Sequence, residues 1–176
     1  STIAAQLAIM LAKSGQPTIL IDGDLRRPTQ AKLFGVDGTM GLTQVLARTV
    51  PLTDALVAVP YPGLQLLPAG RVPPNPSELV GSERMQTLIA ELGKTHAVII
   101  DAPPLLAVTD AGLLTVASDG AILVIKAGGT LKEQVMACRD TFDKLGGGLL
   151  GTVLNLVAKK DLGSALYGYY GYSSHP

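Results

Sequence analysis

The sequence predicts an α/β fold built on a doubly wound, mostly parallel sheet, and three features carry that prediction. From residue 97 onward, apolar strand runs alternate with helical periods. Two runs, Ile19-Leu20-Ile21 and Val98-Ile99-Ile100, are apolar at every position, as strands covered on both faces are. Each ends in an aspartate, Asp22 and Asp101, at the strand end where open parallel sheets bind ligands.

The elements follow in order. Residues 2 to 14 are rich in Ala, Ile, Leu and Met and read as a helix covered by the sheet, stopped by Ser14-Gly15. A strand at 18 to 22 comes next. After the Arg26-Arg27-Pro28 turn, short amphipathic pieces are expected at Gln30 to Phe34, Leu42 to Ala47 and Thr53 to Val57, then a strand at Leu64 to Leu67. The Pro- and Gly-rich run 68 to 76 is expected to be irregular. Met85, Leu88, Ile89 and Leu92 share one face of a helix between Glu83 and Leu92. Strands at 97 to 101, 121 to 125 and 149 to 154 then alternate with helices near 109 to 117 and at 131 to 145. The last of these carries Leu131, Val135, Cys138, Phe142 and Leu145 on one face, with Thr130 and Glu133 as a capping box and Gly146 as its stop. From Leu162 the apolar period ends, so the chain divides into a domain at 1–161 and a mobile tail at 162–176.

Composition narrows the function. The 176 residues suit one domain. With 14 basic and 14 acidic residues and no basic run beyond two, nothing calls for nucleic acid as a partner. No apolar run reaches the ~18 residues of a membrane span, and no secretory signal is visible. The single cysteine, Cys138, falls on an apolar helix face and reads as a core residue.

The candidate site gathers at the two aspartate-bearing strand ends. Alternate strand residues point the same way, so Asp22 and Asp24 face one site, where their repulsion must be relieved by a metal, a proton or Arg26. Such a pair suits holding Mg2+ and accepting the proton of an attacking hydroxyl in phosphoryl transfer. Asp101 precedes Ala102-Pro103-Pro104, and the prolines leave its carboxylate at the rim. Ser1 and Thr2 stand directly before a long helix. They read either as simple helix caps or, with the helix N-terminus, as binders of a phosphate, the Ser1 hydroxyl ligating Mg2+. A phosphate-binding loop reads Gly, four residues, Gly-Lys-Ser/Thr, and the chain opens at what resembles its final hydroxyl, so the glycines and lysine are expected upstream of residue 1. Asp110 and Asp119 are assigned to capping or turns. Asn155 is a turn residue or a reader of a nucleotide base. Tyr167, Tyr169, Tyr170 and Tyr172, spaced by glycine, form either a flexible Gly/Tyr tail or a set of phosphoacceptors.

Ile19 to Arg26, three apolar residues then Asp-x-Asp-x-Arg, resembles the second Walker motif of the bacterial tyrosine kinases, the autophosphorylating P-loop enzymes of capsular and exopolysaccharide export. Val98 to Pro104 is similar to their Walker B segment. Leu67 to Leu79, Val108-Thr-Asp-Ala and Gly151-Thr-Val-Leu-Asn are also similar to family segments, and the tyrosine cluster is the most discriminating likeness. The resemblance implies a deviant-Walker P-loop fold lacking its first strand and phosphate loop in this chain, with ATP and Mg2+ as cofactors. Ser1, Asp22 and Asp101 would be the metal residues, with Asp22, Asp24 and Asp101 catalytic. Ser1, Thr2, Arg26 and Asn155 would bind nucleotide, and the four tail tyrosines would be phosphorylated. It implies further that unmodified tails dock in neighbouring sites of a ring and leave on phosphorylation, and that 1–176 alone is inactive. A polysaccharide co-polymerase, fused or separate, would act as membrane adaptor and place the domain in the cytoplasm at the inner face of the membrane. A phosphotyrosine phosphatase would be a further partner. Two alternatives are a positioning or partitioning ATPase of the same fold, which transfers phosphate to water, and a non-catalytic regulatory homologue.

Overall fold

The computed structural model describes residues 1–158. Helix α1 spans Thr2–Lys13, β1 Thr18–Asp22, and three short helices follow: α2 Gln30–Phe34, α3 Leu42–Leu46 and α4 Leu52–Ala55. Then come β2 Val57–Ala58, β3 Leu64–Leu67, α5 Pro76–Val80, α6 Glu83–Gly93 and β4 Ala97–Asp101. The described chain closes with α7 Asp110–Val116, β5 Ala121–Lys126, α8 Lys132–Leu145 and β6 Leu149–Asn155.

The main sheet runs β2-β3-β1-β4. β1 pairs in parallel with β3 and β4, and only the two-residue β2 is antiparallel. Every residue of β1 is buried, because the alternating side chains of this central strand enter two different cores. Ile19 and Ile21 join Leu42, Leu67, Met85, Ile89 and Leu92 on one side, whereas Leu20 joins Ala5, Ala8, Ile9 and Leu66 under α1 on the other. Burying side chains of this size contributes roughly 1.5–3 kcal/mol each. That is why a short strand holds the sheet in three layers.

Four expectations are corrected. The sheet is not continuous: β5 and β6 pair in parallel as a separate two-stranded sheet, and Val98, Ile99 and Ile100 of β4 are half-buried rather than covered on both faces. Residues 53–57 divide between α4 and β2. The Pro-rich run ends in helix α5, with Pro76 at its first turn, where a missing N–H costs nothing. Finally, the expected Thr130–Glu133 box is replaced by a cap one residue later. There the Leu131 N–H donates to Gln134 Oε1 (2.9 Å), while Thr130 Oγ1 accepts from the Lys126 N–H. Cys138 is buried, as its helix face requires, and burial pushes its thiol pKa up.

Candidate active site at the carboxyl rim of the sheet

The register of β1 on β4 sets Asp22 opposite Asp101, so both expected carboxylates leave the sheet side by side. The ladder runs one step further, with the Gly23 N–H donating to the Asp101 carbonyl at 2.8 Å. A Cβ at Gly23 would meet that carbonyl and the Ile100 methyl, each at 2.9 Å, so the close approach requires glycine.

Asp22 is fully buried and anchored on one oxygen. Its Oδ2 accepts from the N–H groups of Thr29 (3.0 Å) and Gln30 (2.9 Å), while its buried Oδ1 has no partner. Burial pushes its pKa up to about 6 from 3.8, and the charges of Asp101 and Asp24 add to the rise, against the pull of the two N–H bonds. The carboxylate is thus destabilised by design of its surroundings and suited to hold a cation or exchange a proton.

The head of α1 lies against Asp101, with the Ser1 nitrogen 3.3 Å from Oδ1. Ser1 occupies the N-cap position of α1, but its hydroxyl makes no capping bond to the helix. Because the first helical bond runs from the Ala5 N–H to the Ser1 carbonyl, earlier N–H groups, including that of Thr2, have no acceptor within the helix.

Asp24 serves the turn. Its Oδ1 accepts from the Arg26 (3.2 Å) and Arg27 (3.0 Å) N–H groups, and its charge still reaches Asp22. Arg26 does not relieve the aspartate pair in the expected way. Its guanidinium donates instead to Asp110, from Nε at 2.8 Å and Nη2 at 3.2 Å, and to Ser77 Oγ at 2.9 Å. Ser77 closes the ring by donating to Asp110 Oδ1 at 2.6 Å. Asp110 is sealed from solvent, so its assignment to mere capping is too small a role.

Asn155 ends β6 on the second sheet. Its carbonyl accepts from the Ala127 N–H and its Oδ1 from the Leu156 N–H, which is the turn reading. Tyr167, Tyr169, Tyr170 and Tyr172 lie outside the described residues. Gln30 was not anticipated: it is fully buried and its Nε2 donates to Asp101 Oδ2 (2.8 Å) and the Ser1 carbonyl (3.1 Å). Its place at the start of a short amphipathic helix gave no signal of this.

No group of three or more His, Cys, Asp or Glu is arranged to hold a metal among the described residues. The rim nevertheless fits Mg2+, which takes one or two carboxylates and completes its shell with water and phosphate oxygens. The unpartnered Asp22 Oδ1 and the all-oxygen donor set of Ser1, Asp22 and Asp101 are what such an ion requires.

This architecture is that of the deviant-Walker P-loop proteins. The septum site-determining ATPase MinD of Pyrococcus furiosus shares the fold, with a TM-score of 0.72 over 94% of this chain and 73% of that one at 22% identity. No protein-family profile matches the chain. The chain is 41% identical over 172 residues to the tyrosine-protein kinase YwqD of Bacillus subtilis, covering 97% of this chain and 72% of YwqD. It is 36% identical to the putative tyrosine-protein kinase CapB of Staphylococcus aureus, covering 97% and 75%. The kinase domain of the Escherichia coli tyrosine kinase ETK superposes with a TM-score of 0.86 at 33% identity, over 90% of this chain and 62% of that one. The chain belongs to the bacterial tyrosine-protein kinases.

Proposed function

We infer that this chain is the catalytic domain of an ATP-dependent tyrosine autokinase that modifies its own terminal tyrosines in the service of capsular or exopolysaccharide synthesis and export. The observation that carries the reading is the pairing of Asp22 with Asp101 at the sheet rim against the head of α1.

A magnesium-bound ATP held at the rim would supply the transferable phosphoryl group, its ion neutralising the phosphate charge. Ser1, Asp22 and Asp101 would hold the ion, with the free N–H groups at the head of α1 facing phosphate. Asp22, held on Oδ2 by the Thr29 and Gln30 N–H groups, accepts the proton of an incoming tyrosine hydroxyl. Asp24 holds the turn that keeps Asp22 in place. Tyr167, Tyr169, Tyr170 and Tyr172 are the acceptors, and each phosphate adds about −1.5 to −2 charges, which the acidic rim repels. Modified tails are therefore released.

The domain acts in this reading within a homo-oligomer, a ring in its largest form, where tails reach neighbouring sites. A membrane adaptor of the polysaccharide co-polymerase kind, fused or separate, holds it at the inner membrane face, and a phosphotyrosine phosphatase resets it. Among the described residues no helix is long and apolar enough to cross a membrane. Binding of a non-hydrolysable ATP analogue to the intact protein tests the site. Affinity should require Mg2+ and fall in Asp101→Asn; affinity indifferent to both would remove the reading.

A further inference from the structure

Gln30 touches three separate parts of the rim. Its N–H caps Asp22, and its side-chain amide reaches both Asp101 and the Ser1 carbonyl at the head of α1. The amide's orientation is fixed by those partners. Both are acceptors, so Nε2 must face them, and Oε1 is left buried with no partner.

Oε1 is not alone. The described residues hold four buried side-chain oxygens without partners, and three of them belong to Asp22, Thr29 and Gln30, which interlock at the Asp22 carboxylate. Buried polar atoms are otherwise almost always satisfied, so orphans on three residues joined by these hydrogen bonds point to a missing partner. Two of the three, Gln30 Oε1 and, once Asp22 is ionised, Asp22 Oδ1, can only accept. A hydrated divalent cation offers both a positive charge and water hydrogens.

We propose that Gln30 is a positioning residue of this site: its amide holds Asp101 and the head of α1 in register with Asp22, and its free oxygen accepts from the water shell of the bound cation. The proposal rests on the reading of the rim as a magnesium-nucleotide site and adds a residue to it. A neutral amide does both tasks, whereas Glu would repel Asp101, and Lys or Arg would offer no acceptor.

The test uses the intact protein with Gln30→Met, which keeps the volume and removes both amide functions. Gln30→Asn, whose amide falls short of Asp101, is the second variant in case the first does not fold. Calorimetric titration of ADP with Mg2+ should show the Mg2+ requirement rising about tenfold or more, the usual effect of losing an outer-shell partner. ADP binding without Mg2+ should fall less than binding with it, since only the hold on the head of α1 is lost. In nucleotide-free protein, hydrogen exchange over residues 2–8 should quicken while β1 stays protected. A Mg2+ requirement unchanged in a folded variant overturns the cation role, and unchanged exchange at α1 overturns the positioning role. Wild-type protein that binds no Mg-ADP would defeat the reading of the site; exchange at α1 would still decide the positioning role.

Discussion

Arg26 and Asp110, 84 residues apart, meet through two hydrogen bonds, Nε to Oδ2 at 2.8 Å and Nη2 to Oδ1 at 3.2 Å. The fork geometry ties the turn after Asp24 to the first residue of α7, and Ser77 brings the end of the Pro-rich run into the same ring. Asp110→Asn keeps the shape and removes the charge. It should lower kcat for tyrosine phosphorylation about 10- to 100-fold by misplacing the catalytic turn. KM for ATP should change much less, and steady-state kinetics of the intact protein check the split. Loss confined to KM would make Arg26 a nucleotide contact.

Stability should respond to pH in two opposite ways. Asp22 has its pKa raised from 3.8 to about 6, so the folded state keeps a proton that the unfolded chain releases between those values. Stability therefore falls as pH rises from about 4 through about 6, by ~3 kcal/mol at most. At Asp110, burial opposes ionisation, but the bonds from Arg26 and Ser77 and the Arg26 charge outweigh it and hold the pKa below 3.8. That contribution is present above the ordinary carboxylate range and is lost as pH falls through the lowered value. Melting curves from pH 3 to 8 should show Asp22→Asn flattening the fall between about 4 and 6 and stabilising the nucleotide-free protein at pH 8. A variant that melts lower than wild type at pH 8 would contradict the account of Asp22.

Gly23→Ala places a methyl group 2.9 Å from both the Asp101 carbonyl and the Ile100 side chain. The strands must part locally, at a cost of about 1–3 kcal/mol, comparable with overpacking a core. Urea unfolding measures that loss. The same displacement should weaken Mg2+-dependent nucleotide binding, because Asp22 and Asp101 are the residues pushed apart.

Much of this was readable from residue order. β3 and α2 fall at the residues their short patterns indicate, because apolar runs between glycines and prolines leave little freedom of boundary. Asp22 and Asp101 were legible because charge at the end of a fully apolar strand has no packing purpose. What was hidden depends on distance or on masking. The partner of Arg26 lies 84 residues away, so no local pattern signals it, and Asp110 alone looks like a first-turn acid. Helix α5 is masked by the prolines before it, although Pro76 suits a first turn. Gln30 looks like a surface residue of a short amphipathic helix until the fold closes over it. The break between the two sheets leaves no trace in β5 and β6, whose runs look as apolar as β1.

Replacing Tyr167, Tyr169, Tyr170 and Tyr172 together by Phe should abolish phosphotyrosine in the intact protein while leaving Mg2+-dependent ATP binding within about twofold of wild type, since no rim group changes. Immunodetection with a phosphotyrosine antibody and nucleotide titration on the same preparation separate the two effects. Undiminished labelling would place the acceptors elsewhere.

The most direct test is a phosphopeptide mass map of the intact protein incubated with ATP and Mg2+, run beside Asp22→Asn and Asp101→Asn. The account predicts phosphate on the tail tyrosines in the wild type, dependent on Mg2+ and lost in both variants. ATP hydrolysed with no phosphotyrosine formed, or a tail still labelled when both aspartates are gone, would contradict it.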